Sequence, residues 1–412
     1  MQKRRVVITG LGALSALGSG LDDTWQALVA GKSGVSRIER FDTSDYAVHI
    51  GAEIKDFDPT KWMTPKEARG YDRFAQYGVA AAVECVEDSG IDFSKIDPYR
   101  VGVIIGTGIG GITEIEEQHA KLLNRGPGRV SPFLVPKMMG NAVSGVISIR
   151  YGLQGINYVA MSACAAGSNA IGSALRTIQY GDADVVVTGG AEAAMGPLGL
   201  AGFCAARALS KREDDPTKAS RPFDKNRDGF VMSEGAGILL FEEYEHAKAR
   251  NAKIYAEVVG CGMTGDAHHI TAPHPNGIGA AKAMEITLAD AGITPDQVDY
   301  VNAHGTSTEL NDKIETAAIK SVFGDHAGKL AISSTKSMIG HMLGASGGFE
   351  LVITALTVAN GTVHPTINYE TPDPECDLDY VPNEAREREV RYAISNSFGF
   401  GGHDACLALG KV

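Results

Sequence analysis

The sequence predicts an α/β fold made of two copies of one layered unit, in which mixed, largely parallel sheets are covered by helices. Three observations predict it. Strand-like apolar runs alternate with stretches of helical apolar period along the whole 412-residue chain, the pattern of sheets packed against helices. A block in the first half recurs in the second. The 50 glycines are scattered without a triplet period, which fits tight turns and close backbone approaches rather than a fibre.

Val6-Val7-Ile8-Thr9 reads as the first strand, and only five residues precede it, which leaves no room for an apolar signal or transit segment. A helical period from Phe74 ends at Glu87-Asp88-Ser89-Gly90-Ile91, and the strand 101–105 then runs into Gly106-Thr107. Residues 157–162 read as a strand and Cys164-Ala165-Ala166-Gly167 as a turn of small residues. Ala170, Ile171, Ala174, Leu175 and Ile178 then form one face of a helix stopped by Gly181. A seam at 250–253 separates the copies, so an N-terminal half over 1–252 and a C-terminal half over 253–412 are expected. The second half repeats the order. A helix over 280–288 ends at Ala289-Asp290-Ala291-Gly292-Ile293, and a strand over 298–303 runs into His304-Gly305-Thr306. The strand 331–335 is followed by the turn 336–341 and by Leu351, Val352, Ala355 and Leu356 at helical spacing, closed by Asn360-Gly361.

Composition narrows the function. Hydrophobic residues make up 44% and charged residues 21%, which excludes intrinsic disorder. A net charge of -12 disfavours nucleic acid and anionic lipid as partners. No run of about 18 apolar residues is apparent, so neither membrane insertion nor secretion is expected. Six cysteines stand far apart without a C-x-x-C pair, which argues against zinc and disulfides and for buried thiols in a reducing, cytoplasmic setting.

In α/β folds ligands bind where loops leave the C-terminal ends of strands. Cys164, His304, Lys336 and His341 all fall in such loops. Cys164 lies between a strand and the first turn of a helix, where the helix end favours a thiolate, so it is expected to be an acidified nucleophile. Two imidazoles beside one thiol can serve as base, acid or donors to a developing oxyanion. Lys336 ends an apolar strand and needs an anionic partner, for which Glu350 is the candidate.

The chain resembles the elongating β-ketoacyl-[acyl-carrier-protein] synthases, condensing enzymes of the thiolase-like fold. The resemblance rests on Arg5-Val6-Val7-Ile8-Thr9-Gly10-Leu11-Gly12, Ser162-Ala163-Cys164-Ala165, and Arg221-Pro222-Phe223-Asp224 through Arg227-Asp228-Gly229-Phe230. It continues through Asn302-Ala303-His304-Gly305-Thr306-Ser307-Thr308, Ser334-Thr335-Lys336-Ser337-Met338-Ile339-Gly340-His341 and Asn396-Ser397-Phe398-Gly399-Phe400-Gly401-Gly402. It implies a duplicated αβαβα fold with two mixed sheets, and a decarboxylating condensation of an acyl chain with a malonyl unit, both borne by acyl carrier protein. It assigns catalysis to Cys164, which would carry the acyl chain, to His304 and His341, to Lys336, and to Phe400 as gate and oxyanion-hole amide. Ile109 and Phe203 would line the acyl pocket and Thr306 and Thr308 would hold the phosphopantetheine arm. Glu350 is grouped with these substrate-binding positions as well as with Lys336. No cofactor and no metal are implied; a homodimer is. An acidic carrier would need a local basic patch, for which Lys66, Arg69, Arg125, Arg129 and Arg207 are candidates. Asp404 stands where most such enzymes have asparagine, and would add charge beside the gate loop; Ala166 and Ser168 also replace commoner neighbours of the cysteine.

Other readings are weaker. Gly106-x-Gly108-x-x-Gly111 matches the bare dinucleotide fingerprint and keeps an NAD(P)-binding oxidoreductase as a distant alternative. However, acidic residues follow at once and no strand-end acid stands at the required spacing. Gly344-Ala345-Ser346-Gly347-Gly348 matches a hydrolase elbow without its strand. Asp224-x-Asn226-x-Asp228-Gly229 begins like a calcium loop but lacks the closing glutamate. A degradative thiolase would need a second catalytic cysteine followed by x-Gly, whereas Cys406 precedes Leu407-Ala408. A non-catalytic chain-length factor would lack Cys164. A stand-alone ketosynthase of a polyketide or specialised lipid pathway shares every catalytic residue and is the runner-up.

Overall fold

In the computed structural model, which describes residues 3–412, the apolar runs form ten strands. The first half contains β1 (Val6–Leu14), β2 (Val101–Gly106), β3 (Asn157–Ala160), β4 (Val185–Glu192) and β5 (Gly235–Glu243), in the order β1-β5-β4-β2-β3. The second contains β6 (Ala256–Gly265), β7 (Tyr300–Asn302), β8 (Ala331–Ser333), β9 (Tyr392–Gly399) and β10 (His403–Gly410), in the order β6-β10-β9-β7-β8. Each half therefore runs first, fifth, fourth, second, third. The pairing senses repeat too: second with third and second with fourth are parallel, while the other two pairings are antiparallel. Half of the pairings are thus antiparallel, more than expected. The β9–β10 connection, residues 400–402, shows why: so short a link cannot hold the crossover that parallel strands need. The two sheets meet edge to edge where Val7 faces Glu257 and Ile8 faces Ala256, making one ten-stranded sheet.

Helices α1 (Arg73–Ser89), α2 (Ala166–Gln179), α3 (Ile278–Ala291), α4 (Glu309–Phe323) and α5 (Ser346–Asn360) supply the layers that position the site. The expected stop signals work: α1, α3 and α5 end at Gly90, Gly292 and Gly361, with φ of 60°, 67° and 68°, the left-handed cap that glycine adopts without strain. A close approach explains the glycines on the first strand of each half. A Cβ on Gly12 would lie 2.0 Å from the Ala81 carbonyl oxygen of α1, and one on Gly262 would lie 2.2 Å from that of Ala283 on α3. The same strand–helix contact is thus built twice.

Helices α2 and α5 fill the centre and touch through glycine: a Cβ on Gly167 would sit 2.7 Å from the Gly348 nitrogen. The stretch Leu343–Asn360 is in fact long and apolar enough to cross a membrane, contrary to the sequence expectation, but 89% of it is buried inside the protein. Its small residues and single glutamate disguise it as an ordinary core helix, which it is. Strands β3, β7 and β8 are shorter than expected because the chain leaves the sheet early to turn into the site.

Candidate active site

The site lies at the N-termini of the two central helices. A single 3₁₀ turn, Ala163–Ala165, opens α2, and its counterpart Leu343–Ala345 opens α5. Ala163 and Leu343 have φ of 50° and 49°, a left-handed conformation that strains residues bearing a Cβ. Cys164 and His341 meet between these two turns.

Cys164 is 8% exposed, and its Sγ lies 3.0 Å from His341 Nε2. The Leu343 amide donates to His341 Nδ1 at 3.2 Å, with Ser346 Oγ 2.9 Å from the same nitrogen. Because Nδ1 accepts, the neutral ring carries its proton on Nε2, facing the sulfur. The His304 and His341 rings stand edge to face with centroids 5.4 Å apart. Lys336 Nζ donates to His304 Nδ1 at 3.3 Å, so the His304 proton is also on Nε2. Lys336 is in addition ion-paired to Glu350, both wholly buried. Burial, then the Lys336 charge, holds both imidazoles well below their usual range, with each other's proximity adding to the effect at His304. Burial lifts Glu350 to about 7 against the pull of Lys336. The result is two neutral rings presenting N–H donors beside one thiol.

The thiol itself differs from expectation. Burial pushes Cys164 up to about 11, opposed by the Lys336 charge and by the Phe400 amide. The helix end is present, but loss of water around the sulfur outweighs it. The surroundings of Cys164 therefore favour the thiol over the thiolate.

The loop after β9 covers the sulfur. A Cβ on Gly399 would be 3.0 Å from the Ser162 carbonyl oxygen and 3.2 Å from the Cys164 nitrogen, so only glycine lets the loop lie flat there. The Phe400 and Cys164 amides both favour the thiolate over the thiol and are a pair of donors suited to an acyl oxyanion. The Phe400 ring is 38% exposed, and the loop turns back through Gly401 and Gly402 at positive φ. Ile109 and Phe203 pack, half-buried, on the apolar cluster that contains Cys164, Met195 and Leu343. Phe203 stacks edge-on against Phe230, which in turn meets the His341 ring. The Thr306 and Thr308 hydroxyls are 2.9 Å apart, and Thr308 also caps α4 by accepting from the Asn311 amide. Glu350 departs from its substrate-binding grouping: it lies behind Lys336, sealed from any substrate, because α5 carries it into the core.

Some site residues escaped sequence reasoning. Glu315 is fully buried and accepts from the His304 and Gly305 amides at 2.9 and 2.8 Å; Phe398 packs edge-on against the His304 ring. Ser346 and Glu192 are the others. A carboxylate closing the strand Val185-Val186-Val187-Thr188-Gly189-Gly190-Ala191 was the available signal for Glu192. That residue also disposes of the dinucleotide fingerprint, since the Gly108 amide that would meet a phosphate instead donates to Glu192 at 2.6 Å. Asp224 accepts from Arg221 and from the Asn226, Glu370 and Thr371 amides, leaving no calcium loop.

Asp404 is buried and faces Asp266 rather than a histidine: a Cβ on Gly279 would touch both carboxylates, and Asp404 Oδ2 has no partner. Burial, then Asp266, lifts it to about 7. Lys66, Arg69, Arg125, Arg129 and Arg207 are all exposed, and none is ion-paired among the described residues.

A family model described as "Beta-ketoacyl synthase, N-terminal domain" matches residues 3–247, and one described as "Beta-ketoacyl synthase, C-terminal domain" matches residues 255–370. A relative from Synechocystis sp., named 3-oxoacyl-[acyl-carrier-protein] synthase 2, is 54% identical over 100% of this chain and 99% of its own. One of the same name from Coxiella burnetii is 53% identical over the whole of both chains. Among solved structures, the ishigamide ketosynthase/chain length factor superposes with a TM-score of 0.94 at 37% identity, covering both chains fully. A type II polyketide ketosynthase bound to the hexaketide and in complex with its acyl-carrier protein gives 0.93 at 36%, again over both whole chains.

Proposed function

The chain belongs to the β-ketoacyl synthase family, and we propose that Cys164, His304 and His341 perform its chemistry, with Lys336, Glu350 and the Phe400 amide as their supports. The enzyme is an acyltransferase of the condensing type. It joins an acyl chain on acyl carrier protein to malonyl-ACP with loss of CO2, giving 3-oxoacyl-ACP in fatty-acid elongation.

In the first step Cys164 sulfur attacks the acyl thioester carbonyl. The Cys164 and Phe400 amides hold the oxyanion, the carbon–sulfur bond to the carrier breaks, and the cysteine proton leaves with the carrier thiol. In the second step malonyl-ACP loses CO2. The Nε2–H groups of His304 and His341 hold the enolate oxygen, and being neutral imidazoles they donate without protonating the carbanion. The carbanion attacks the acyl-cysteine carbonyl, a carbon–carbon bond forms, and Cys164 departs with the electron pair, then takes a proton. The observation that carries this assignment is the 3.0 Å contact between Cys164 Sγ and a His341 Nε2 whose tautomer is fixed by the Leu343 amide.

The fatty-acid relatives are nearer in sequence than the polyketide ketosynthases, which favours elongation over a specialised pathway. We place carrier docking at the exposed basic residues and the enzyme in the cytoplasm, where six unpaired cysteines are stable. Incubation with acyl-ACPs of graded length, followed by peptide mass spectrometry, tests the assignment. Acylation on the Cys164 peptide alone is expected; label on another residue overturns it.

A further inference from the structure

Glu192 closes β4, is fully buried, and is used by no step above. Its Oε1 accepts from Thr107 Oγ1 at 3.1 Å, and its Oε2 accepts from the Gly108 and Gly344 amides at 2.6 and 3.2 Å. One carboxylate thus fastens two loops from opposite halves. The first, 107–109, bears Ile109 of the acyl pocket; the second, 343–345, bears the Leu343 amide that fixes the His341 tautomer. Packing leaves no slack: a Cβ on Gly344 would lie 2.0 Å from the Gly108 nitrogen and 2.9 Å from Glu192 Oε2. A Cβ on Gly108 would lie 2.8 Å from the same oxygen and 3.4 Å from the Ala163 carbonyl oxygen, so the carboxylate and the Cys164 turn flank the same glycine.

We propose, resting on the reading of Cys164 as nucleophile, that Glu192 is a positioning residue for the condensation. It latches the acyl-pocket loop to the His341 loop, and its charge restrains ionisation of the Cys164 sulfur. The groups facing the carboxylate are uncharged donors; those facing the sulfur are His341, His304 and Lys336, the last paired with Glu350. The Glu192 charge raises the thiol, while burial lifts Glu192 itself to about 7. The Glu192 charge thus opposes the thiolate.

Glu192→Gln keeps an oxygen for the Gly108 and Gly344 amides and removes only the charge. The rate of Cys164 alkylation by iodoacetamide, read by peptide mass spectrometry across pH, is expected to shift its midpoint down by about one unit. That makes the variant about tenfold more reactive near neutral pH. A merely structural role would leave the midpoint in place or raise it, and either result overturns the proposal. Wild-type enzyme gives a reading that needs no variant. Its alkylation rate should climb less than tenfold per pH unit near neutrality, because Glu192 ionises there and opposes the thiolate; a simple one-proton curve overturns the proposal. Wild-type enzyme that takes acyl groups on a residue other than Cys164 removes the nucleophile assignment itself, a failure separate from either alkylation result.

Discussion

At the residue scale the site depends on ions and dipoles held out of water. Lys336 and Glu350 are buried together, and removing one partner of such a pair strands the other charge at a cost of about 3–5 kcal/mol. Lys336→Met and Glu350→Gln should each destabilise by that order, and the double variant by less than their sum, as read from urea unfolding; strict additivity would mean the pair is not coupled. The imidazoles carry a second prediction. Because burial and Lys336 depress both, they stay neutral through the range where a free histidine near 6.5 would titrate. Malonyl decarboxylation should therefore show no inflection near that value as pH falls, measured as CO2 release. An inflection there that persists in Glu350→Gln and in Glu192→Gln, the two buried carboxylates lifted to about 7, would mean that one ring is solvated.

At the element scale the matched turns and loops do the positioning. Gly399→Ala would press a Cβ within 3.0 Å of the Ser162 carbonyl oxygen, displacing the Phe400 amide; acyl transfer should fall by about 10²-fold, the size of one lost oxyanion donor, while CO2 release persists. Below the gate, Asp404 faces Asp266 at the base of a loop whose Gly402 carbonyl oxygen accepts from the Asp266 amide. Its folded pKa is raised to about 7 from 3.8. The native state thus binds a proton that the unfolded chain has released, and stability contributed by this group is present below the unfolded value and lost as pH rises between the two. Asp404→Asn, able to donate to Asp266, should raise Tm above neutrality and change it little near pH 4; an equal gain at both would point to packing instead. Helix stops, small-residue turns and the nucleophile were legible because Gly90, Gly292, Gly361 and Cys164 act locally. Glu192 was not, because its partners come from loops 84 and 152 positions away; Glu315 and Ser346 were not, because which backbone amide or ring nitrogen they meet, 5 to 11 positions away, depends on how the intervening loops turn. The same separation misled the thiol: the helix end is visible in sequence, the water excluded by Phe400 and Phe230 is not.

At the scale of the whole molecule, a gene-duplicated sheet brings a thiol from one half to two imidazoles from the other. The edge strand β3 is exposed, flanked by Ile156, Tyr158 and Met161 at 40%, 38% and 53% exposure. A groove of about 470 Å³ beside it is lined by Tyr158, Arg176, Tyr180 and Met263. An open apolar edge invites pairing; if the chain pairs with a second copy there, as the resemblance implies, Tyr158→Lys should lower the sedimentation coefficient relative to the unsubstituted protein, and an unchanged value would place any pairing elsewhere. The division of labour between the halves is tested most directly in His304→Ala, by following acylation of Cys164 and CO2 release separately. Full acylation from acyl-ACP with CO2 release from malonyl-ACP lowered by about 10²–10³-fold is predicted. Loss of acylation with decarboxylation intact would contradict the account.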